Sequence, residues 1–177
     1  GMLYNSEVWH SVSEEEISML ESVDEHLLRS LVKGHSKTSK EFLYLESGAL
    51  PIRFIISCRR IMYLHTILRR PEGELTKRVY TAQKGDPIKG DFINLVKSDI
   101  EMIGGNIDDE YIAAKSKDSL KSEIKCKVRN AALEYLKEKQ ATHSKIKDIE
   151  YTELKVQEYI TSPIFSNEET NLLYALL

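Results

Sequence analysis

Only two cysteines, Cys58 and Cys126, occur in 177 residues, and they lie far apart with no metal-ligand spacing. That excludes a disulfide-stapled secreted miniprotein and a cysteine zinc site; the pair reads as reduced thiols of an intracellular protein, cytoplasmic or nuclear. No apolar run approaches the roughly 18–20 residues of a membrane span, so no membrane partner is expected. The N-terminus has no basic region followed by an apolar stretch, as a signal peptide would. The eight glycines form neither GxxxxGK[ST] nor GxGxxG, which removes the common phosphate loops. No Asn-Gly or Asp-Gly stands between alternating residues, so no β-hairpin is signalled, and neither repeats nor low-complexity tracts appear. His10, His26, His35, His65 and His143 include no i, i+4 pair and no clustered cysteine, so there is no zinc pattern. Asp108-Asp109-Glu110 is the one acidic cluster resembling a metal centre, but its setting is that of a helix start, where acids favour the dipole. No metal or other cofactor is expected.

What is present is helical spacing almost throughout. Ser13 with Glu14–Glu16 forms a capping box ahead of Ile17, Leu20, Val23, Leu27, Leu28 and Leu31, and Lys33-Gly34 closes that helix. Thr38-Ser39 opens a second helix, Lys40 to Ser47, stopped by Gly48. Pro51 suits the first turn of a third, Ile52 to Arg70, which is apolar on almost every side and reads as the hub of the first half. Further helices are expected at Glu74–Gln83, Asp91–Ile103, Asn106–Ala114, Asp118–Gln140, Tyr151–Ile160 and Asn167–Leu177. Lys84-Gly85-Asp86-Pro87 is a breaker and a candidate boundary. The fold class is therefore all-α, a multi-helix bundle or two small helical subdomains, 1–85 and 86–177. The last residues, Tyr174–Leu177, still follow an apolar helical pattern, which suggests a piece of a longer protein.

The formal net charge of −3 hides a segregation. Residues 1–50 carry 4 basic and 9 acidic side chains, residues 51–90 carry 9 and 3, and residues 91–177 carry 12 and 16. A positive middle between negative ends can meet a polyanion, or can match carboxylates of its own fold. The basic group comprises Arg53, Arg59, Arg60, Arg69, Arg70, Lys77 and Arg78, with Tyr63 and His65 among them. Guanidinium groups suit phosphate and aromatics can stack bases. Lys121, Lys125 and Arg129 also share a helix face, a pattern that is usually a solvated surface.

Two stretches go beyond composition. Leu3-Tyr4-Asn5-Ser6-Glu7-Val8-Trp9, followed by an acidic helix ending Leu27-Leu28-Arg29, resembles the start of the thumb in non-LTR (LINE-like) retrotransposon reverse transcriptases, with Asn5 where glycine is usual. Leu50-Pro51-Ile52-Arg53 and the run Arg59-Arg60-Ile61-Met62-Tyr63-Leu64-His65 to Arg69 are similar to a later segment of that family. His143-Ser144-Lys145, Tyr151, Gln157-Glu158-Tyr159 and Glu168-Glu169 resemble its C-terminal connector. The resemblance implies a region after the polymerase palm, without the catalytic aspartates, hence no enzyme by itself. It implies nucleic-acid backbone contacts, to RNA or to an RNA–DNA or DNA duplex, by Arg53, Arg59, Arg60, His65, Arg69, Arg70, Lys77 and Arg78, beside an upstream polymerase domain. The alternative is a helical protein-interaction or scaffold module that binds no nucleic acid.

Overall fold

A computed structural model describes residues 3–9 and 11–161, and all of its regular elements are helices. They are α1 (Glu14–Val32), α2 (Lys40–Ser47), α3 (Ile52–Leu68), α4 (Leu75–Gly85), α5 (Phe92–Met102), α6 (Asp109–Ala114), α7 (Lys117–Gln140) and α8 (Glu158–Thr161), preceded by a 3-10 turn, Ser6–Val8. The all-α expectation is met among the described residues. The helix expected at Asn167–Leu177 lies outside them, as does His10.

The chain divides into two compact units, but not at residue 85. The first joins Gly1–Glu14 to Arg53–Ala131; the second joins Glu15–Ile52 to Ala132–Leu177. Helix α4 continues through Lys84 and Gly85, and the chain turns only after them, inside the first unit, where α4 and α5 pack on each other. Turn chemistry marks where a chain bends. It does not say whether the next helix returns to the same core.

In the first unit, α3 is buried on most sides through Phe54, Ile56, Ile61, Leu64 and Ile67, as its all-round apolarity predicts. Tyr63 meets Phe92 of α5 edge to face, with ring centres 5.8 Å apart. Asp91 caps α5 by accepting from the Asn94 N–H at 2.8 Å. Asp108 caps α6 by accepting from the Tyr111 N–H at 2.8 Å, while Asp109 accepts from Tyr80 Oη at 2.7 Å and from Lys84 Nζ at 2.7 Å. The acidic triplet is thus a helix start in which Asp108 and Asp109 have internal partners. From α7, Leu120, Ile124 and Val128 add a fully buried row.

The second unit is built around α2, a role that its eight residues did not announce. Every residue from Phe42 to Ser47 is buried. Burial of each large side chain there contributes about 1.5–3 kcal/mol. Ser39 Oγ accepts from the Phe42 N–H at 3.3 Å, and Gly48 ends the helix at φ 64°. Glu46, on the buried helix, accepts from both Tyr151 Oη and Tyr159 Oη. Burial pushes the Glu46 carboxyl up, and the two phenol hydrogen bonds pull it the other way. The helix expected at Tyr151–Ile160 is reduced to α8. The backbone before it is held extended and turning by a bond from the Gln157 N–H to the Glu46 carbonyl at 3.0 Å and by the close approach of Lys155 and Val156 to Gly48.

Helix α1 ends at Val32, two residues before its glycine. Lys33, not Gly34, takes the left-handed conformation at φ 56°, and the Gly34 N–H bonds to the Arg29 carbonyl at 2.9 Å. A β-carbon in that region costs about 1–2 kcal/mol, and glycine avoids it. Lys33→Gly is therefore expected to stabilise the protein by about 1 kcal/mol, read as a raised midpoint in thermal or urea denaturation.

Candidate nucleic-acid interface

The first unit distributes the basic residues of α3 and α4 very unevenly. Arg60 is 5% exposed, and its Nη1 donates to Asp99 Oδ2 at 2.7 Å. Ser57 Oγ donates to the other oxygen, Asp99 Oδ1, at 2.6 Å. Burial holds the Asp99 carboxyl above its ordinary range, although the Arg60 charge and the Ser57 hydrogen bond both oppose that shift. His65 is 3% exposed, with Nε2 at 3.0 Å from the Lys115 carbonyl oxygen. These two residues cannot reach a phosphate, contrary to expectation. A helix buried on most sides leaves few positions facing water, and polar groups on its inner faces must be satisfied internally.

Others are accessible but already matched. Arg53 grips Glu14 with both guanidinium nitrogens, at 2.8 and 3.2 Å. Arg70 pairs with Glu74 one turn on, at 2.5 Å. Lys77 Nζ donates to the Leu68 carbonyl at 3.0 Å and lies 3.5 Å from Glu72. Arg69 is exposed and makes a long bond, 3.3 Å, to the Lys115 carbonyl. Arg78 is exposed and has no ion pair among the described residues.

An open basic surface does exist, centred elsewhere. Arg59 is exposed and donates to the Leu3 carbonyl and, at 3.2 Å, to Ser6 Oγ. Both partners are neutral, so the guanidinium charge is not cancelled at contact distance. Lys117, Lys121 and Lys125 project from successive turns of α7, all exposed and without an ion pair among the described residues. The Cys58 thiol registers their position. Burial pushes it up, while Lys125, Lys121 and Arg59 pull it down. Lys125, Lys121 and Arg59 therefore lie near Cys58, on one side of α3, and Lys117 shares a cleft with Arg59. Lys117 sits in the first turn of α7, where a cation opposes the helix dipole at a cost of about 0.3–1 kcal/mol.

Beside Arg59 and Lys117 lies an open cleft of about 720 Å³, bounded also by Leu3, Tyr4, Met62 and Tyr63. Tyr4 is 75% exposed, and the Tyr63 ring is fixed by Phe92. Glu7 is the one acidic residue lining the cleft among the described residues. The neighbouring Asn5 adopts φ 54°, a backbone conformation that glycine and asparagine tolerate best. No group of three or more His, Cys, Asp or Glu among the described residues is placed to hold a metal, and no helix there is long and apolar enough to cross a membrane.

No family model, curated protein sequence or solved structure matches the chain. Sequence reasoning overlooked Lys117 and treated Lys121 and Lys125 as a solvated face. The available signal was their four-residue spacing from a helix start that favours acids.

Proposed function

We propose that the chain is a non-catalytic helical module that contacts nucleic-acid backbone through its first unit. The observation that carries this reading is the row Lys117, Lys121 and Lys125 beside Arg59, four exposed cations with no acidic partner among the described residues, next to a cleft bearing two tyrosines. Lysine and arginine supply phosphate contacts without reading sequence, and the tyrosines offer faces for an unpaired base. The resemblance to the thumb and connector of non-LTR retrotransposon reverse transcriptases agrees with this role, and the left-handed Asn5 explains how asparagine can stand where that family has glycine. In that setting the partner is RNA or a duplex held for an upstream polymerase domain. Arg53, Arg60, Arg70 and Lys77 serve the fold instead.

The test is binding to a duplex and to single-stranded RNA over a salt series. Each phosphate contact contributes about 0.9 to the log–log salt slope on duplex DNA and about 0.7 on a single strand. Changing Lys117, Lys121 and Lys125 together to glutamine should weaken binding by tenfold or more and flatten the slope by roughly 2–3. The same change at Lys145 and Lys147, in the second unit, should do neither. No binding by the unaltered chain at low salt, or an unchanged slope in the triple variant, would remove the proposal. An exposed apolar face on α1 favours a second reading, a protein-interaction module, and the two roles reside in different units.

A further inference from the structure

Helix α1 carries four large apolar side chains in water. Met19 is 71% exposed, Val23 52%, Leu27 62% and Leu31 62%. They recur every fourth residue and form one ridge about 18 Å long at 1.5 Å per residue. The buried residues of the helix, Ile17, Glu21, Leu28 and Val32, lie on another face. A contiguous apolar ridge left in water is the mark of an interaction surface. The neighbouring i, i+4 row is Ser18, Ser22, His26 and Ser30, all exposed and mostly small. Ridge and shallow groove therefore lie side by side on one helix, the arrangement by which two identical helices interdigitate.

The charges indicate the occupant and its direction. Glu15 and Glu16 are exposed at the start of α1, and Lys33, His35 and Lys37 are exposed just past its end. We propose that this face binds the same face of a second copy, with the two α1 helices antiparallel. A two-fold axis between Val23 and Leu27 sets Met19 of one copy against Leu31 of the other. It brings the acidic start of each helix to the basic end of its mate and opposes the two dipoles. A parallel arrangement would stack acid on acid and base on base. The ridge alone is smaller than a standard interface, so the association is weak and concentration-dependent.

Sedimentation velocity of the full chain from micromolar to millimolar concentration tests this. The unaltered protein should move from monomer to dimer. Val23→Glu with Leu27→Glu should raise the dissociation constant by at least about tenfold, with circular dichroism and thermal midpoint preserved because both side chains are exposed. Val23→Ser with Leu27→Ser is a milder form of the same test. Glu15→Lys with Glu16→Lys should weaken the dimer, and adding Lys33→Glu with Lys37→Glu should restore it. A chain that stays monomeric throughout overturns the proposal; its face would then be free or covered by another segment. A dimer indifferent to both ridge variants, or to the charge reversal, overturns it as well.

Discussion

Replacing Asp99 by alanine is expected to lower the unfolding free energy by about 3–5 kcal/mol. The reason is what the substitution leaves behind. Arg60 is 5% exposed, and Asp99 lies 2.7 Å from its Nη1. Without that carboxylate a guanidinium remains inside the protein with no counter-charge, and Ser57 Oγ loses the oxygen it donates to at 2.6 Å. The pair itself is no large source of stability. Burial raises the Asp99 carboxyl against the attraction of Arg60, the direction expected where desolvation offsets much of the Coulombic gain. Changing both partners, Arg60→Met with Asp99→Leu, should therefore recover most of the loss. Urea denaturation of the unaltered protein and the two variants measures this. A double variant as unstable as Asp99→Ala would show that specific bonds, not an orphaned charge, set the cost.

The second large effect is expected at Gly48. Its φ of 64° already disfavours any β-carbon, by about 1–2 kcal/mol. A β-carbon there would also lie 2.4 Å from the Lys155 carbonyl carbon and 2.5 Å from the Val156 nitrogen. Backbone cannot swing aside as a flexible side chain can. Gly48→Ala should force the segment around Lys155 and Val156 away from the end of α2, for a total loss of about 2–5 kcal/mol. The Gln157 N–H bond to the Glu46 carbonyl and the two tyrosine contacts to the Glu46 carboxylate should weaken with it, so Gln157 amide exchange should quicken. Gly73→Ala is the control, since nothing lies within 4 Å of a β-carbon at that position. A Gly48 variant as stable as the control would mean that the 155–157 segment moves away at no cost.

These two sites show how far the sequence reaches. The helices α1 to α7 were legible because apolar spacing and caps are local: Asp91 before α5, Ser39 before α2, and the four-residue row Leu120, Ile124, Val128 in α7. The end of α1 was legible within one residue, and only the choice of Lys33 over Gly34 for the left-handed turn needed coordinates. Tyr151–Ile160 failed because its helical spacing competes with a tertiary demand, two phenols and a backbone amide meeting Glu46, more than a hundred residues earlier in the chain. The basic cluster is divided by tertiary contacts in a similar way. Arg59 and Arg60 are adjacent and chemically identical, yet one is exposed and the other is buried on Asp99.

By itself, then, the sequence determined an all-helical chain with a positively charged middle and no membrane-length apolar helix, because periodicity, capping and composition act over a few residues. Tertiary structure decided which cations stay exposed without an ion pair and that the ridge on α1 stays uncovered, both among the described residues, and which helix becomes a hub. Those outcomes depend on which carboxylate or apolar face folding brings alongside, a question of distances between residues far apart in the chain.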